Sequence, residues 1–312
     1  MERKINKNLF LIGVIVLVIV LVLVIVLTSK KEAKWEQVGN TITKGNQTLT
    51  IGDYYDYDET KGGTIDDLIG VKWRVLGVED GKLLIVSTSS VGEVTLGSKD
   101  DLKQSQNDYV NGINKLDEIA SKYSKGKGAI SARSITIEDI NKITNYNYSN
   151  YGSESIGEYD NEVTYFWDGS PNPMYKGSNG ITGNVSNTHN MFVWYDGKEW
   201  KTNERKDSTK ENPIEIGKLK SNFYAYDVTF YGEEEKNLLD ENSNEYKMLF
   251  EDEKNDSNNY WVAYPFISTN SPFAGFGYLV VKNSAVNYTY IVYSMGVSRS
   301  STFGVRAVVT ID

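Results

Sequence analysis

The sequence predicts an α+β domain carried behind one long apolar segment, and three observations predict it. Leu9 to Leu27 is a run of Leu, Ile and Val interrupted only by Phe10 and Gly13, whereas the rest is polar enough to bring the mean hydropathy to −0.43. Short β-branched and aromatic runs open and close that remainder, with helical periodicity between them, so strands and helices are segregated along the chain. The 22 Tyr, 10 Phe and 6 Trp are too many large rings for a disordered chain and enough to fill a core.

Residues 1–8 form a short basic tail with Arg3, Lys4 and Lys7. Residues 9–28 are long enough to cross a bilayer as a helix, since nineteen apolar residues rise about 28 Å against a hydrocarbon layer of about 30 Å. A cleaved signal peptide would show a shorter core and a small-x-small site, and Thr28-Ser29-Lys30-Lys31 offers none. The flanking lysines and arginine tie at three a side, but a long domain after a first apolar segment translocates largely regardless of them. The expected placement is a single-pass plasma-membrane protein, N-terminus cytoplasmic and bulk extracellular.

Residues 29–48 are polar and read as a stalk linker, and a compact extracellular domain is expected over 49–312. Val71 to Val78 and Leu83 to Ser87 flank Asp80-Gly81, a hairpin signature. Tyr109, Ile113, Leu116, Ala120 and Tyr123 recur at helical spacing, which predicts a helix over 101–123. Thr136-x-x-Asp139 is a variant capping box before a second helix, and Asn242-x-x-Glu245 predicts the start of a third. Residues 145–235, rich in Asn, Tyr, Gly and Ser, predict a loop-rich insertion with short strands such as 191–195. Strands follow at 260–267, 276–282, 288–294 and 303–311, the last expected beside the first.

Composition excludes much chemistry. There is no Cys, so thiolate metal sites, cysteine nucleophiles and disulfides are out. One imidazole, His189, gives no partner for a zinc site or a Ser-His-Asp triad. A net charge of −9 repels phosphate backbones, so no nucleic acid is expected as partner. Asp56-x-Asp58-x-Thr60 with Asp67 imitates a calcium loop, but Lys61 stands where the sharp turn needs Gly. No glycine-rich phosphate loop occurs, and Gly275-Phe-Gly277 lacks its context. No cofactor and no metal are expected.

The aromatic residues carry more. Trp73 and Trp261 sit inside apolar strands and belong to a core. Tyr288 and Tyr290 are spaced by two and alternate with Asn287 and Thr289, the pattern of an exposed strand face. Large amphipathic rings mixed with small polar residues suit recognition, so Tyr264, Phe273, Tyr288, Tyr290 and Tyr293 are the candidate ligand-binding residues, for a protein or glycan.

Several segments in order resemble an uncharacterised family of surface proteins from gut Firmicutes. They are Ile51-Gly-Asp-Tyr54, Trp73-Arg-Val-Leu76, Ala132-Arg-Ser-Ile135, Ser243-Asn-Glu-Tyr-Lys-Met-Leu249, Tyr260-Trp-Val-Ala263 and Phe303-Gly-Val-Arg-Ala-Val-Val309. The chain departs from the family pattern at Val262, Tyr264-Pro265 and Ala307. The Tyr-Trp strand, the Gly-Val-Arg strand and the loop-rich centre are similar to the C-type-lectin-like fold in its formylglycine-generating-enzyme branch. The resemblance implies that Arg306 is a buried structural ion pair, that its strand pairs with the first strand, and that long loops present the ligand surface. That branch's active-site cysteines and the lectins' calcium motifs are absent, so neither activity carries over. A non-enzymatic binding or adhesion module is the expectation; a cell-wall hydrolase using two carboxylates, or a structural envelope protein without a small ligand, are the alternatives.

Overall fold

The computed structural model describes residues 33–59, 70–144, 198–204, 239–254, 259–268, 275–282, 284–293 and 296–312, together with short strands between 158 and 222. Residues 1–8 and 9–28 lie outside these, and among the described residues no helix is long and apolar enough to cross a membrane. The fold is mixed α+β.

Its first surprise is the expected stalk. Residues 36–50 form an antiparallel meander of β1 (Glu36–Val38), β2 (Thr41–Lys44) and β3 (Gln47–Thr50), with Gly39 and Gly45 turning at positive φ. The meander is tied to the neighbouring hairpin and to the chain's last residue. The Trp35 amide donates to Gly81 O at 3.0 Å, its indole N–H to Asp312 O at 3.3 Å, and Val78 N–H donates to Gln37 Oε1 at 2.9 Å. Trp35 and Ile42 are buried. A polar run needs only these two apolar anchors when its backbone hydrogen bonds are met within a sheet.

The hairpin forms as its turn chemistry dictates. β4 (Tyr54–Tyr55) precedes β5 (Trp73–Glu79), and β5 returns as β6 (Lys82–Ser87) through Asp80 and Gly81, both at positive φ. After β7 (Glu93–Leu96), helix α1 (Leu102–Ala120) starts on Asp101, whose carboxylate accepts from Gln104 N–H at 3.0 Å. β8 (Ala129–Ser134) leads into α2 (Ile137–Thr144), where Thr136 and Asp139 cap one another's amides.

In the expected insertion lie β9 (Glu158–Asp160), β10 (Val163–Phe166), β11 (Met174–Gly177), β12 (Thr182–Asn184), β13 (Met191–Tyr195), β14 (Trp200–Glu204), β15 (Ile214–Ile216) and β16 (Lys220–Asn222). The β13–β14 hairpin docks on the core: Trp200 donates its indole N–H to Gln106 O of α1 at 3.0 Å. Then comes α3 (Asn244–Phe250), capped by Ser243 rather than Asn242.

The terminal strands build a second sheet and complete the first. β17 (Tyr260–Ser268), β18 (Gly275–Lys282), β19 (Ala285–Tyr293) and β20 (Ser301–Val305) give the order β19-β18-β17-β20-β7. β21 (Ala307–Ile311) enters the order β4-β5-β6-β21-β8. So the expected single strand over 303–311 is two strands in two sheets, joined at Arg306. Neither pairs with the first strand, as the resemblance implied; β21 pairs with β6 and β8. α1 packs against β8 of one sheet and β17 and β19 of the other.

Arg306 explains the split. It is 1% exposed, and its guanidinium donates to Ser87 O at 2.5 Å, to Met248 O at 3.1 Å and to Glu251 O at 2.5 Å, over the Tyr260 ring. Carbonyls of β6 and of α3's end thus hold the cation. Burial pulls its pKa below the ordinary range, against the fields of Tyr260, Asp252 and Glu253.

Candidate functional site: the tyrosine face of the second sheet

The pairing register decides which aromatic rings meet. Residues directly opposite in an antiparallel ladder share a face. On β18 and β19 the pairs Leu279–Tyr288, Gly277–Tyr290 and Gly275–Tyr293 therefore lie on one face, and Tyr278–Thr289 and Phe276–Val292 on the other. Phe266 of β17 also pairs with Gly277 and joins the first face.

Simple alternation would put Tyr293 on the wrong side, since it stands three residues from Tyr290. A bulge corrects this: two steps on β19, from Tyr290 to Val292, match one step on β18, from Gly277 to Phe276. Ile291 is the extra residue, and the parity of the strand changes after it. Tyr288, Tyr290 and Tyr293 become a continuous ladder, with ring centroids 5.0 Å and 5.1 Å apart. Phe266 closes on it at 5.7 Å from Tyr288 and 5.4 Å from Tyr290.

Two glycines make room. A Cβ on Gly275 would collide with the Tyr290 ring, and one on Gly277 with the Thr289 backbone oxygen. The rings of Phe266 and Tyr290 meet across the middle strand because Gly277 has no side chain between them. The ladder grades from surface to interior: Tyr288 is 38% exposed, Tyr290 is partly buried and Tyr293 is 8% exposed. Arg299 stacks over Tyr293 at 5.1 Å, and burial raises the Tyr293 phenol above its usual pKa.

The other candidates sit elsewhere. Tyr264 of β17 is partly buried against the core, in the irregular stretch between Trp261 and Pro265 where the pairing register shifts. Phe273 lies outside the described residues, as do Trp167, His189, Tyr224 and Tyr226. Trp73 is a core residue against Tyr57 and Tyr123, and Trp261 against Tyr278 and Phe303.

Sequence reasoning missed a second aromatic site. A cleft of 450 Å³ is walled by Tyr54, Tyr55, Tyr57 and Trp73, with Asp56 and Lys72. Beside it Glu59, 8% exposed, accepts from the Trp73 indole N–H at 2.9 Å. Burial raises the Glu59 carboxyl above its usual pKa, against that hydrogen bond. Burial also pushes the Tyr57 phenol up to about 12. Tyr54 and Arg74 pair across β4 and β5, and Tyr54 donates to Glu253 at 2.5 Å while Lys72 pairs with the same carboxylate at 3.2 Å. Burial pushes the Glu253 carboxyl up, but the hydrogen bonds from Tyr54 and Lys72 outweigh it and leave the pKa below its ordinary value. The alternation of Tyr54-Tyr55 with Lys72-Trp73-Arg74 is visible in the sequence; the distant Glu253 that joins them is not.

Among the described residues no group of three or more His, Cys, Asp or Glu is arranged to hold a metal ion. Set against known proteins, the chain matches no family model, no curated protein sequence and no solved structure.

Proposed function

We propose that this is a membrane-anchored extracellular binding module that recognises a protein or glycan through the tyrosine face of its second sheet. The observation that supports it most is the bulge at Ile291, which turns an interrupted pattern into an aligned ladder ending in the exposed Tyr288. A core has no need of a ring one-third in water, whereas rigid aromatic side chains with few rotors lose little entropy on contact. The C-type-lectin-like architecture belongs to the same proposal, as does the bilayer anchor at 9–28.

The test is adhesion. Cells displaying the full chain are presented to arrays of immobilised glycans and extracellular proteins, beside cells carrying Tyr288→Ala/Tyr290→Ala at equal surface density. Selective retention of the native chain, weakened at least about tenfold in the variant, is expected for a ring cluster at a contact centre. Equal retention removes these rings from the site.

Glu59 favours a second reading, a carboxylate hydrolase, because a carboxyl whose pKa burial raises, standing beside an aromatic cleft, is suited to general-acid work. Turnover of peptidoglycan fragments that Glu59→Gln abolishes would establish it.

A further inference from the structure

Tyr54 and Tyr55 are neighbours on β4 and meet different surroundings. Successive strand residues face opposite sides, and the register pairs Tyr54 with Arg74 and Tyr55 with Trp73. The chain itself supplies Tyr54 with cations. The Arg74 guanidinium lies over its ring at 4.1 Å and the Lys72 ammonium at 5.2 Å. Its hydroxyl accepts from Arg74 at 3.0 Å and donates to Glu253, whose carboxylate pairs with Lys72 at 3.2 Å and Arg74 at 3.6 Å. Ring, carboxylate and cation thus form one unit. Tyr55 is partly buried against the core. Among the described residues no cation lies over its ring and no hydrogen bond reaches its hydroxyl.

Tyr55 belongs to the wall of the 450 Å³ cleft, a volume in the range of small-ligand sites. Its neighbours in that wall have their polar groups met. The Tyr57 hydroxyl donates to Tyr123 O and accepts from Gly126 N–H at 3.0 Å. The Trp73 indole N–H donates to Glu59 at 2.9 Å, and Lys72, the one cation in the lining, is held by Glu253. Asp56 differs. It stands exposed at the rim, and among the described residues its carboxylate has neither an ion pair nor a hydrogen bond. Burial, and after it the Asp56 charge, raises the Tyr55 phenol above its usual pKa, so the hydroxyl stays neutral at pH 7. The cleft therefore leaves one phenol ring, one hydroxyl and one carboxylate unmatched.

We infer that this cleft binds a compact organic cation, an alkylated ammonium group seated against the Tyr55 ring and the Asp56 carboxylate. The Tyr54 unit on the other side of the strand is its template, with Glu253 in the place of Asp56 and the chain's own Lys72 and Arg74 in the place of the ligand. The chemistry selects the class. A π face and a carboxylate both attract positive charge. An anion meets Asp56 and a chain of net charge −9. A neutral apolar molecule gains the contact of Val71 and the rings but covers a carboxylate without pairing it. This site is separate from the tyrosine ladder of the second sheet and does not depend on what the ladder binds.

The test compares choline with 3,3-dimethyl-1-butanol, which has the same shape and no charge. Each is titrated by ligand-observed NMR against the native full-length chain in a sugar-headgroup detergent. Choline is expected to bind at least about threefold more tightly than the alcohol; equal affinities, or no binding of choline, overturn the inference. Asp56→Asn, an exposed substitution that disturbs no contact of the fold, is expected to weaken choline about threefold and leave the alcohol as it was. Tyr55→Leu keeps an apolar wall without the π face and is expected to weaken choline by a similar factor. Unchanged choline binding in both variants overturns the assigned site. Tyr288→Ala is expected to bind choline as the native chain does, and a loss there places the cation on the ladder and overturns the inference.

Discussion

The two faces of the β17–β18–β19 sheet are built from the same kinds of residue and do opposite things. On one face Phe276 and Tyr278 meet Tyr109 of α1, with Trp200 and Tyr195 of the docked hairpin packed edge-on around them. The Tyr278 hydroxyl donates to Tyr109 O at 2.7 Å, and its ring fills the space above Gly112. On the other face Tyr288, Tyr290 and Tyr293 stack on one another and on Phe266, with Tyr288 in water. Composition does not distinguish these tyrosines. Strand parity, one bulge and the presence of a helix on one side do.

Four variants would break or sharpen this contrast. Gly112→Val is expected to be the most damaging, because a Cβ there stands 2.6 Å from Tyr278 Cζ and α1 must lift off the sheet. A loss of about 3 kcal/mol, read from chemical denaturation, is expected from overpacking of this kind. Tyr278→Phe keeps the ring but removes the hydroxyl's hydrogen bond to the Tyr109 carbonyl, which retains its helical partner, and about 1 kcal/mol is expected by the same measurement. Tyr288→Ala, on the opposite face of the same sheet, is expected to cost under about 1 kcal/mol while weakening adhesion. A stability loss as large as that of Tyr278→Phe would make the exposed face part of the core.

The smallest effect belongs to Glu59→Gln. The folded-state pKa of Glu59 is raised, so its contribution is fully present below the unfolded value and is lost as pH rises through the folded one. Glutamine carries no charge to bury and still accepts from Trp73. The variant is therefore expected to gain melting temperature over the native chain at pH 7, and that gain is expected to shrink towards pH 4. A gain that grows on acidification would mean that the ionised carboxylate is favoured in the fold.

Local chemistry made much of this fold legible in the sequence. Asp80-Gly81 names its own turn, and Thr136 with Asp139 names the start of α2, because both act within four residues. The segment 29–48 reads as a stalk from sequence because the partners of its anchor Trp35, Gly81 and Asp312, lie on a hairpin and after the last strand, far along the chain. The break at Arg306 was hidden for the same reason, since the carbonyls that hold it come from β6 and α3. Tyr288 and Tyr290 stand out by their spacing of two. Tyr293 joins them only through a bulge that no spacing reveals. Gly275-Phe-Gly277 was the overlooked signal: glycines two apart in a strand mark a face that a neighbour's side chain must cross.

The most direct test of the two-faced sheet is tyrosine labelling of the native chain, followed by peptide mass spectrometry. Phenols react as phenolates, and burial holds those of Tyr109, Tyr260 and Tyr278 far above their usual pKa. Rapid modification of Tyr288 is predicted, with these three spared until the protein is unfolded. A protected Tyr288, or modification of Tyr278 at a comparable rate, would contradict the account.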